Sequence, residues 1–254
     1  MFWAVHAGRV DLRGLELEQV VSDIQTLNEW ATDGRLEVTA ISMGAYPAVS
    51  DRYVLLPHGA SLGRGYGPVV VARESLSLDR LREVEIVIPG RLTTAYLALR
   101  LALGDGLRVR ELPFDRILDE VASGRAAAGL LIHEGQLTYG AAGLSKALDL
   151  GEWWLVETGL PLPLGVNVAR RDLGERLVDV SAVLGEAIRT GLRHRDEALE
   201  YARGFGRGID AATTDRFVAM YVNELTADYG DEGRRAVREL LRRAGEGVEP
   251  EFVP

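Results

Sequence analysis

Short apolar runs rich in β-branched residues alternate with longer amphipathic stretches through the first two thirds of the chain. The predicted strands are Leu15–Val20, Val38–Ile41, Tyr53–Leu56, Val69–Ala72, Glu85–Ile88, Arg108–Leu112, Ala128–His133 and Leu164–Ala169. The predicted helices are Asp23–Asp33, Thr93–Leu103, Phe114–Ser123, Leu173–His194, Asp196–Gly204, Ala211–Leu225 and Asp231–Ala244. Several strands carry apolar residues at consecutive positions, which is typical of a sheet covered on both faces. The alternation therefore predicts an α/β fold with mainly parallel sheets.

The order of these elements predicts two lobes. The alternation stops near Ala169, and the last third of the chain is predicted to be almost wholly helical. Gly/Pro-rich segments, Gly59–Pro68 and Gly159–Gly165, flank a separate βαβαβ pattern. We therefore predict a discontinuous larger lobe of residues 1–72 and 165–254 and an inserted smaller lobe of residues 73–164, with a ligand in the cleft between them. One continuous sheet with long loops is the alternative, and the tail after residue 244 is expected to be frayed.

Composition excludes several classes of protein. The 254 residues suffice for a full core, and the absence of cysteine excludes a disulfide framework, a thiolate metal site and a cysteine nucleophile. A net charge of −9 without basic runs argues against binding to nucleic acid or to an anionic membrane. No apolar run approaches the roughly 18–20 residues that span a bilayer, and the first residues lack the pattern of a secretory signal. A cytoplasmic protein is expected.

The glycines of Gly63–Gly67 do not predict a phosphate-binding loop. Such a loop needs a strand before the glycines and a helix N-terminus after them. Here the glycines run into Pro68 and an apolar strand, so a turn into the first linker is the better interpretation. No spacing of histidine and carboxylate residues matches a metal site, and we predict none.

Two loops after predicted strands carry hydroxyl side chains. Thr93 can cap the helix that follows strand Glu85–Ile88, and Thr94 with the first-turn amides can meet an anionic or hydroxyl-rich ligand. A helix cap without ligand contact is the alternative. Ser42 follows strand Val38–Ile41 in the same way, but it lacks the glycine-flanked elbow of a serine hydrolase. Ser42 is therefore predicted to be a hydrogen-bonding contact or a cap.

His133 is the strongest single candidate for chemistry. It ends the apolar run that starts at Ala128, and a neutral imidazole there would face the cleft. With an ordinary pKa near 6.5, it could remove a proton at neutral pH. A hydrogen-bonded structural histidine at a strand end is the alternative. The pair Trp153-Trp154 is interpreted as core, with an aromatic ligand site as the alternative.

Segments spread in order through nearly the whole chain resemble one known family. They are Asp23–Asn28, Ser42 with Ala45-Tyr46, Asp51–Tyr53, Gly63–Ala72, Pro89–Tyr96, Phe114–Leu118, Gly129–Glu134 with Thr138-Tyr139, Asp149–Trp154, Thr158–Gly165, Ala169–Gly174 and Tyr221–Asn223. In these segments the chain resembles the 1,4-dihydroxy-6-naphthoate synthases of the futalosine route to menaquinone. The resemblance implies a two-lobe fold like that of type II periplasmic binding proteins, with the ligand in the cleft.

The resemblance also implies an activity. It implies a lyase that cleaves cyclic de-hypoxanthine futalosine to 1,4-dihydroxy-6-naphthoate without a metal or redox cofactor. The histidine of the family's I-H-E segment, the proposed general base, falls on His133. The family's ligand contacts fall on Asn28, Ser42, Thr94 and Ala95. Proton removal beside a carbonyl also requires that an oxyanion be held, which amides and hydroxyls around a cleft can do.

One departure from the family lies at the start. Family members open with a strand and a Ser-Pro-Cys-Pro-Asn-Asp-Thr-like loop, whereas Met1–Gly8 resembles the helix that follows that loop. A true start upstream of Met1 is expected on this ground. Three alternative functions stay open: a non-catalytic solute-binding protein of the same fold, the sister chorismate dehydratase, and a non-catalytic remnant. Glu134 and Tyr139 are possible proton donors to the leaving fragment.

Overall fold

A computed structural model describes residues 2–204, 215, 218, 220–245 and 247–254. The strands are Val38–Ser42 (β1), Tyr53–Leu55 (β2), Ser61–Gly63 (β3), Val69–Ala72 (β4), Ile86–Ile88 (β5), Val109–Glu111 (β6), Ala128–Leu131 (β7), Ser145–Asp149 (β8) and Leu162–Arg170 (β9). The α-helices are Trp3–His6 (α1), Ile24–Thr32 (α2), Leu78–Glu83 (α3), Thr94–Leu103 (α4), Phe114–Ala122 (α5), Gly135–Thr138 (α6), Leu150–Thr158 (α7), Arg176–Arg193 (α8), Arg195–Arg203 (α9), Glu224–Ala227 (α10) and Gly230–Ala244 (α11). Short 3₁₀ helices cover Met43–Ala48 and Arg171–Leu173.

The first sheet is built around β9. This strand pairs antiparallel with β1, β2 and β3, and its register with β1 runs from Val38 opposite Ala169 to Ser42 opposite Gly165. Helix α2 packs against β1, and α8 and α9 pack against each other and against α1. The last third of the chain is helical in its described part, as expected.

The second sheet has the strand order β6-β5-β7-β4-β8. Strand β5 pairs in parallel with β6 and β7, whereas β4 pairs antiparallel with β7 and β8. The expected α/β class is confirmed, but the expectation of mainly parallel sheets is wrong. Consecutive apolar residues indicate that both faces of a strand are buried, and they carry no information about the direction of its neighbours.

The chain passes from the first sheet to the second between Gly63 and Val69, and returns between Asp149 and Leu162. Strand β4 was assigned to the larger lobe from the sequence, yet it pairs in the second sheet. Residues 162–164 were assigned to the smaller lobe, yet they pair in the first sheet. The two sheets divide between Gly63 and Val69 and again between Asp149 and Leu162, and the lobe boundaries stay a prediction.

The two crossings touch each other through backbone. A Cβ atom added to Gly151, at the start of α7, would lie 2.1 Å from the carbonyl carbon of Tyr66 and 2.5 Å from the nitrogen of Gly67. A Cβ added to Gly67 would lie 3.1 Å from the nitrogen of Gly151. Glycine at these positions therefore permits the outgoing segment to pack directly on the returning one.

Helices begin where the sequence supplies a capping side chain. Asp23 accepts hydrogen bonds from the amides of Gln25 and Thr26 at the start of α2. Thr93 accepts one from the Tyr96 amide at the start of α4, which confirms the predicted cap. Asp149 does the same for α7. These caps satisfy amides that have no partner within the helix.

Two predicted features differ in the structure. Residues 15–20 form no strand: Leu15 is partly buried against a core cluster, whereas Leu17 and Val20 stay 43% and 45% exposed. The tail is not frayed at its end: the Leu55 amide donates to the Glu251 carbonyl, the Val253 amide donates to the Leu55 carbonyl, and Val253 is buried. Seven of the fifteen residues of the predicted helix Ala211–Leu225 lie outside the described residues.

The main core extends over both sheets, and it includes Ile41, Tyr53, Ile88 and Trp154. Trp154 is fully buried, its indole N–H donates to the Pro161 carbonyl, and Trp153 packs beside it, which confirms the core interpretation of this pair. Among the described helices, none combines the length and apolar character required to cross a membrane.

Candidate functional site

A cavity of about 470 Å³ opens between helix α2 and one edge of the second sheet. One wall is the first turn and a half of α2, which packs on the first sheet. The other wall comes from the second sheet, where the ends of β5, β6 and β7 and the start of α5 contribute. The lining residues are Asp23, Ile24, Gln25, Thr26, Glu29, Pro89, Glu111, Leu112, Pro113, Phe114, Asp115 and Ile132. Since β5, β6 and β7 run parallel, their carboxyl ends share one edge, which is where open α/β sheets hold ligands.

Gln25, on the α2 wall, contacts the loop after β5 on the opposite wall. A Cβ atom added to Gly90, in the loop after β5, would lie 2.2 Å from the Gln25 side-chain oxygen. Gly90 has a φ of 153°, in the region that favours glycine. The Gln25 amide therefore packs directly on the Pro89-Gly90 backbone, while its Nε2 donates to a Glu29 carboxylate oxygen at 3.1 Å.

The cavity wall is rich in hydrogen-bond acceptors. Asp23, Glu29, Glu111 and Asp115 contribute carboxylates. Burial acts to raise the pKa of Asp23, but hydrogen bonds from the Thr26 hydroxyl and from two backbone amides outweigh it, and the pKa is lowered. Glu111 pairs with the Arg91 guanidinium at 2.9 Å. A ligand in this part of the cavity would find partners for its hydroxyl or amide donors.

His133 lies on a turn beside the cavity. Strand β7 ends at Leu131, Ile132 lines the cavity, and His133 follows with a φ of 53°. The strand is two residues shorter than predicted because the backbone leaves the ladder and enters the left-handed region there. The imidazole meets the Phe114 ring edge to face, with 4.7 Å between centroids. Since Phe114 belongs to the cavity wall, His133 is one side chain from the enclosed space.

Gln136 holds the backbone of this turn. In the amide orientation that satisfies all its neighbours, Oε1 accepts from the His133 amide at 3.2 Å and from the Tyr221 hydroxyl at 3.0 Å. Nε2 donates to the Gly67 carbonyl and to the Tyr221 hydroxyl oxygen, each at 2.7 Å. Tyr221 is buried, and this burial raises the pKa of its hydroxyl well above the usual range, so the group stays a neutral donor. No sequence motif pointed to Gln136, although its position three residues after His133 was a possible signal.

Asn28 and Ser42 come together as a buried pair. The Ser42 amide donates to Asn28 Oδ1 at 2.7 Å, and Asn28 Nδ2 donates to Ser42 Oγ at 3.2 Å. Both residues are buried. The two predicted ligand contacts thus satisfy each other here and connect α2 to the end of β1.

Thr93, Thr94 and Ala95 lie at the start of α4, next to that pair. Thr94 Oγ1 accepts from the Gly44 amide at 3.0 Å and donates to the Leu164 carbonyl at 2.6 Å. Thr93 Oγ1 donates to the Gly90 carbonyl at 2.7 Å. All three are buried, and none of them lines the 470 Å³ cavity. The structure therefore gathers the five predicted contacts around the ends of β1 and β5, with His133 at the end of β7, and their ligand role stays a prediction.

Two further predictions concern binding motifs. The segment Gly63–Gly67 leads into β4 without a helix after it, as expected of a turn rather than a phosphate-binding loop. In the part of the chain that the structure describes, no group of three or more histidine, aspartate or glutamate side chains is placed to hold a metal ion.

The chain is similar to characterised proteins over most of its length. A family model described as menaquinone biosynthesis matches residues 1–246. A 1,4-dihydroxy-6-naphthoate synthase of Thermus thermophilus is 46% identical over 248 residues, which are 96% of this chain and 89% of the relative. A synthase of the same name from Streptomyces coelicolor is 38% identical, over 94% of this chain and 86% of the relative.

Solved structures are also similar to this chain. A crystal structure of an Archaeoglobus fulgidus protein is 45% identical, with a TM-score of 0.89 over 96% of this chain and 91% of that one. A Candida albicans protein, described as having the generic periplasmic binding protein fold, is 13% identical, with a TM-score of 0.70 over 98% of this chain and 87% of that one. The latter supports the fold alone, and the expected two-lobe fold is confirmed. The family match and the two synthases confirm the resemblance found in the sequence: the chain belongs to the menaquinone-biosynthesis family.

Proposed function

We propose that this protein is a 1,4-dihydroxy-6-naphthoate synthase, a lyase that breaks a carbon–carbon bond in cyclic de-hypoxanthine futalosine. The near full-length identity of 46% to the Thermus thermophilus synthase carries the proposal. The proposed binding site is the cleft between a larger lobe of residues 1–72 and 165–254 and an inserted smaller lobe of residues 73–164. The two crossings described above connect these lobes.

His133 is the proposed general base. Its position on a turn after β7, with the ring against a cavity residue, supports this role because a base must reach the proton that it removes. The imidazole would take one proton next to a carbonyl of the bound substrate. The electron pair left on the substrate forms a new double bond as the carbon–carbon bond breaks, and the leaving fragment departs with the electron pair of the broken bond and takes up a proton.

Asn28, Ser42, Thr93, Thr94 and Ala95 are the proposed substrate contacts. Their amides and hydroxyls are grouped at the ends of β1 and β5, where they could hold the oxyanion that forms as the proton leaves. At present these groups bond to each other and to neighbouring carbonyls. Substrate binding would therefore exchange some of these internal hydrogen bonds for bonds to the ligand.

Turnover of the cyclic substrate tests the proposal directly. The purified protein is incubated with cyclic de-hypoxanthine futalosine, and the naphthoate product is followed by chromatography. His133→Ala should fold and lose turnover by about 10²–10⁴-fold, the usual contribution of a general base. His194→Ala is the matched control: this histidine lies at the end of α8 and pairs with Glu197, and it should keep wild-type turnover.

The same assay separates the alternatives. A solute-binding protein would bind the cyclic substrate and leave it intact, and a chorismate dehydratase would consume chorismate instead. Either result would contradict the proposed reaction. Wild-type turnover by the His133→Ala protein would remove His133 from the mechanism.

A further inference from the structure

His133 is held in a backbone conformation that few residues adopt. Its φ of 53° lies in the left-handed region, which is costly for a side chain with a Cβ atom. Such a conformation persists only where neighbouring groups stabilise it. Within the turn, the Gln136 amide donates to the His133 carbonyl at 3.2 Å and the Leu137 amide donates to the Glu134 carbonyl at 2.9 Å.

We infer that Gln136 is a positioning residue that sets the direction of the His133 imidazole, an inference that rests on the proposed role of His133 as base. One side-chain amide holds both sides of the turn: Oε1 accepts from the His133 amide and Nε2 donates to the Gly67 carbonyl. The His133 backbone is thereby attached to the segment that crosses between the two sheets. Gln136 contributes no atom to the cavity wall and is not proposed to touch substrate.

The partner of Gln136 on the crossing segment is rigidly placed. Gly67 packs on Gly151 so closely that neither position accommodates a Cβ atom without a shift. Tyr66, the preceding residue, donates to the Leu62 and Met220 carbonyls, and its ring meets the Tyr221 ring edge to face at 5.4 Å. The Gly67 carbonyl is therefore a fixed acceptor, and the amide that bonds to it is fixed as well.

Phe114 makes the direction of the imidazole sensitive to the backbone. Its ring contacts His133 edge to face, so the imidazole has a flat apolar neighbour on one side and the turn on the other. If the turn relaxes toward an ordinary φ, the Cα–Cβ bond rotates and the ring leaves this position. A displacement of about 1 Å at a reacting group can reduce turnover by about 100-fold.

A double-mutant cycle between Gln136 and His133 tests this role. Gln136→Met keeps the side-chain length and removes both polar groups. We expect kcat to fall about 10–100-fold while KM changes less than threefold, because the substrate contacts stay in place. In the His133→Ala background the same substitution should cost nothing further, since no imidazole remains to be positioned.

Gln19→Met is the matched control. Gln19 also accepts a hydrogen bond from a tyrosine hydroxyl, that of Tyr201 at 2.8 Å. Tyr201 belongs to α9, which is not part of the His133 turn. This variant should keep wild-type kcat and KM. Gln136→Glu is the conservative variant, because it keeps an acceptor for the His133 amide, and it should retain more kcat than Gln136→Met even if the latter folds poorly.

The outcomes distinguish the two proposals. Wild-type kcat in Gln136→Met, or the same fold-loss in the His133→Ala background, would overturn the positioning role and leave the general base intact. Wild-type turnover in His133→Ala alone would overturn the base and the positioning role together. A loss of kcat from Gln136→Met that occurs only when His133 is present would support both the general base and the positioning role.

Discussion

Replacing Gly151 with alanine places a methyl group inside the contact between the two crossings. The new Cβ would lie 2.1 Å and 2.2 Å from the carbonyl carbon and oxygen of Tyr66, and 2.5 Å from the nitrogen of Gly67. These are backbone atoms, so no side-chain rotation relieves the contact. The segment must move by roughly 1.4 Å to restore ordinary van der Waals separation.

The expected cost follows from two opposing contributions. Overpacking costs about 1–3 kcal/mol, and a clash with backbone belongs at the upper end of that range. Alanine gains at most about 1 kcal/mol over glycine in a helix, and Gly151 lies in the first turn of α7. We expect a net loss of about 2 kcal/mol in the free energy of unfolding, which for a chain of this size lowers Tm by about 4–8 °C.

Gly140→Ala is the control for this substitution. Gly140 has an ordinary φ, and an added Cβ meets no atom within 4 Å. Thermal unfolding followed by circular dichroism, together with urea midpoints, compares the two variants. Equal Tm values for Gly151→Ala and Gly140→Ala would refute the argument. A reduced kcat in Gly151→Ala at temperatures where it is folded is also expected, since the shifted segment carries the Gly67 carbonyl.

Two further predictions concern buried polar groups. Asn28→Ala leaves the Ser42 amide without its acceptor and should lower the free energy of unfolding by about 1–3 kcal/mol in urea titrations; no loss would mean that the pair adds nothing to stability. Burial lowers the pKa of His58, whose Nε2 bonds to the Ser181 carbonyl, so the folded protein holds a neutral ring while the unfolded chain binds a proton below about pH 6.5. Stability should therefore be complete above pH 6.5 and fall, by up to about 1.4 kcal/mol per pH unit, as the pH drops toward the folded-state pKa. His58→Gln should show a flatter profile over that interval, and an unchanged profile would assign the pH dependence to other groups.

The sequence pattern predicted the layers of the fold better than their connections. The apolar runs at Val38–Ile41, Val69–Ala72 and Ala128–His133 became strands because each has a partner that buries it. In the run at Leu15–Val20 the leucines alternate with glutamates, and Leu17 and Val20 remain exposed. Burial is a property of the neighbours, and it cannot be read from the run itself.

Local sequence patterns do not predict the direction of a strand relative to its neighbours, nor do they predict short polar elements. Strand β8 contains Lys146 and Asp149, which form an ion pair at 3.1 Å on the surface, so its composition does not resemble a strand. Helix α7 is not predicted because its apolar residues lie all round it: Leu150 and Trp154 share the buried face, whereas Val156 is 85% exposed. The tail was expected to be loose, yet Val253 is buried beside β2 through contacts distant in sequence.

The candidate site was predicted as separate residues rather than as an arrangement. Except for Asn28, which lies inside α2, each predicted residue sits at a strand end or a helix start, and these positions are visible in a sequence. What the sequence did not predict is that Asn28 bonds to Ser42, or that Gln136 joins His133 to Gly67. Such pairings depend on tertiary contacts, which no single-sequence periodicity encodes.

The late arrival of β9 has a consequence for synthesis on the ribosome. All five strands of the second sheet lie within residues 69–149, whereas β1, β2 and β3 share a partner that begins only at residue 162. A nascent chain can thus complete the second sheet while β1, β2 and β3 are still unpaired because β9 has not been synthesised. During translation the inserted half is expected to gain protease resistance first, with the amino-terminal half remaining susceptible until β9 leaves the exit tunnel.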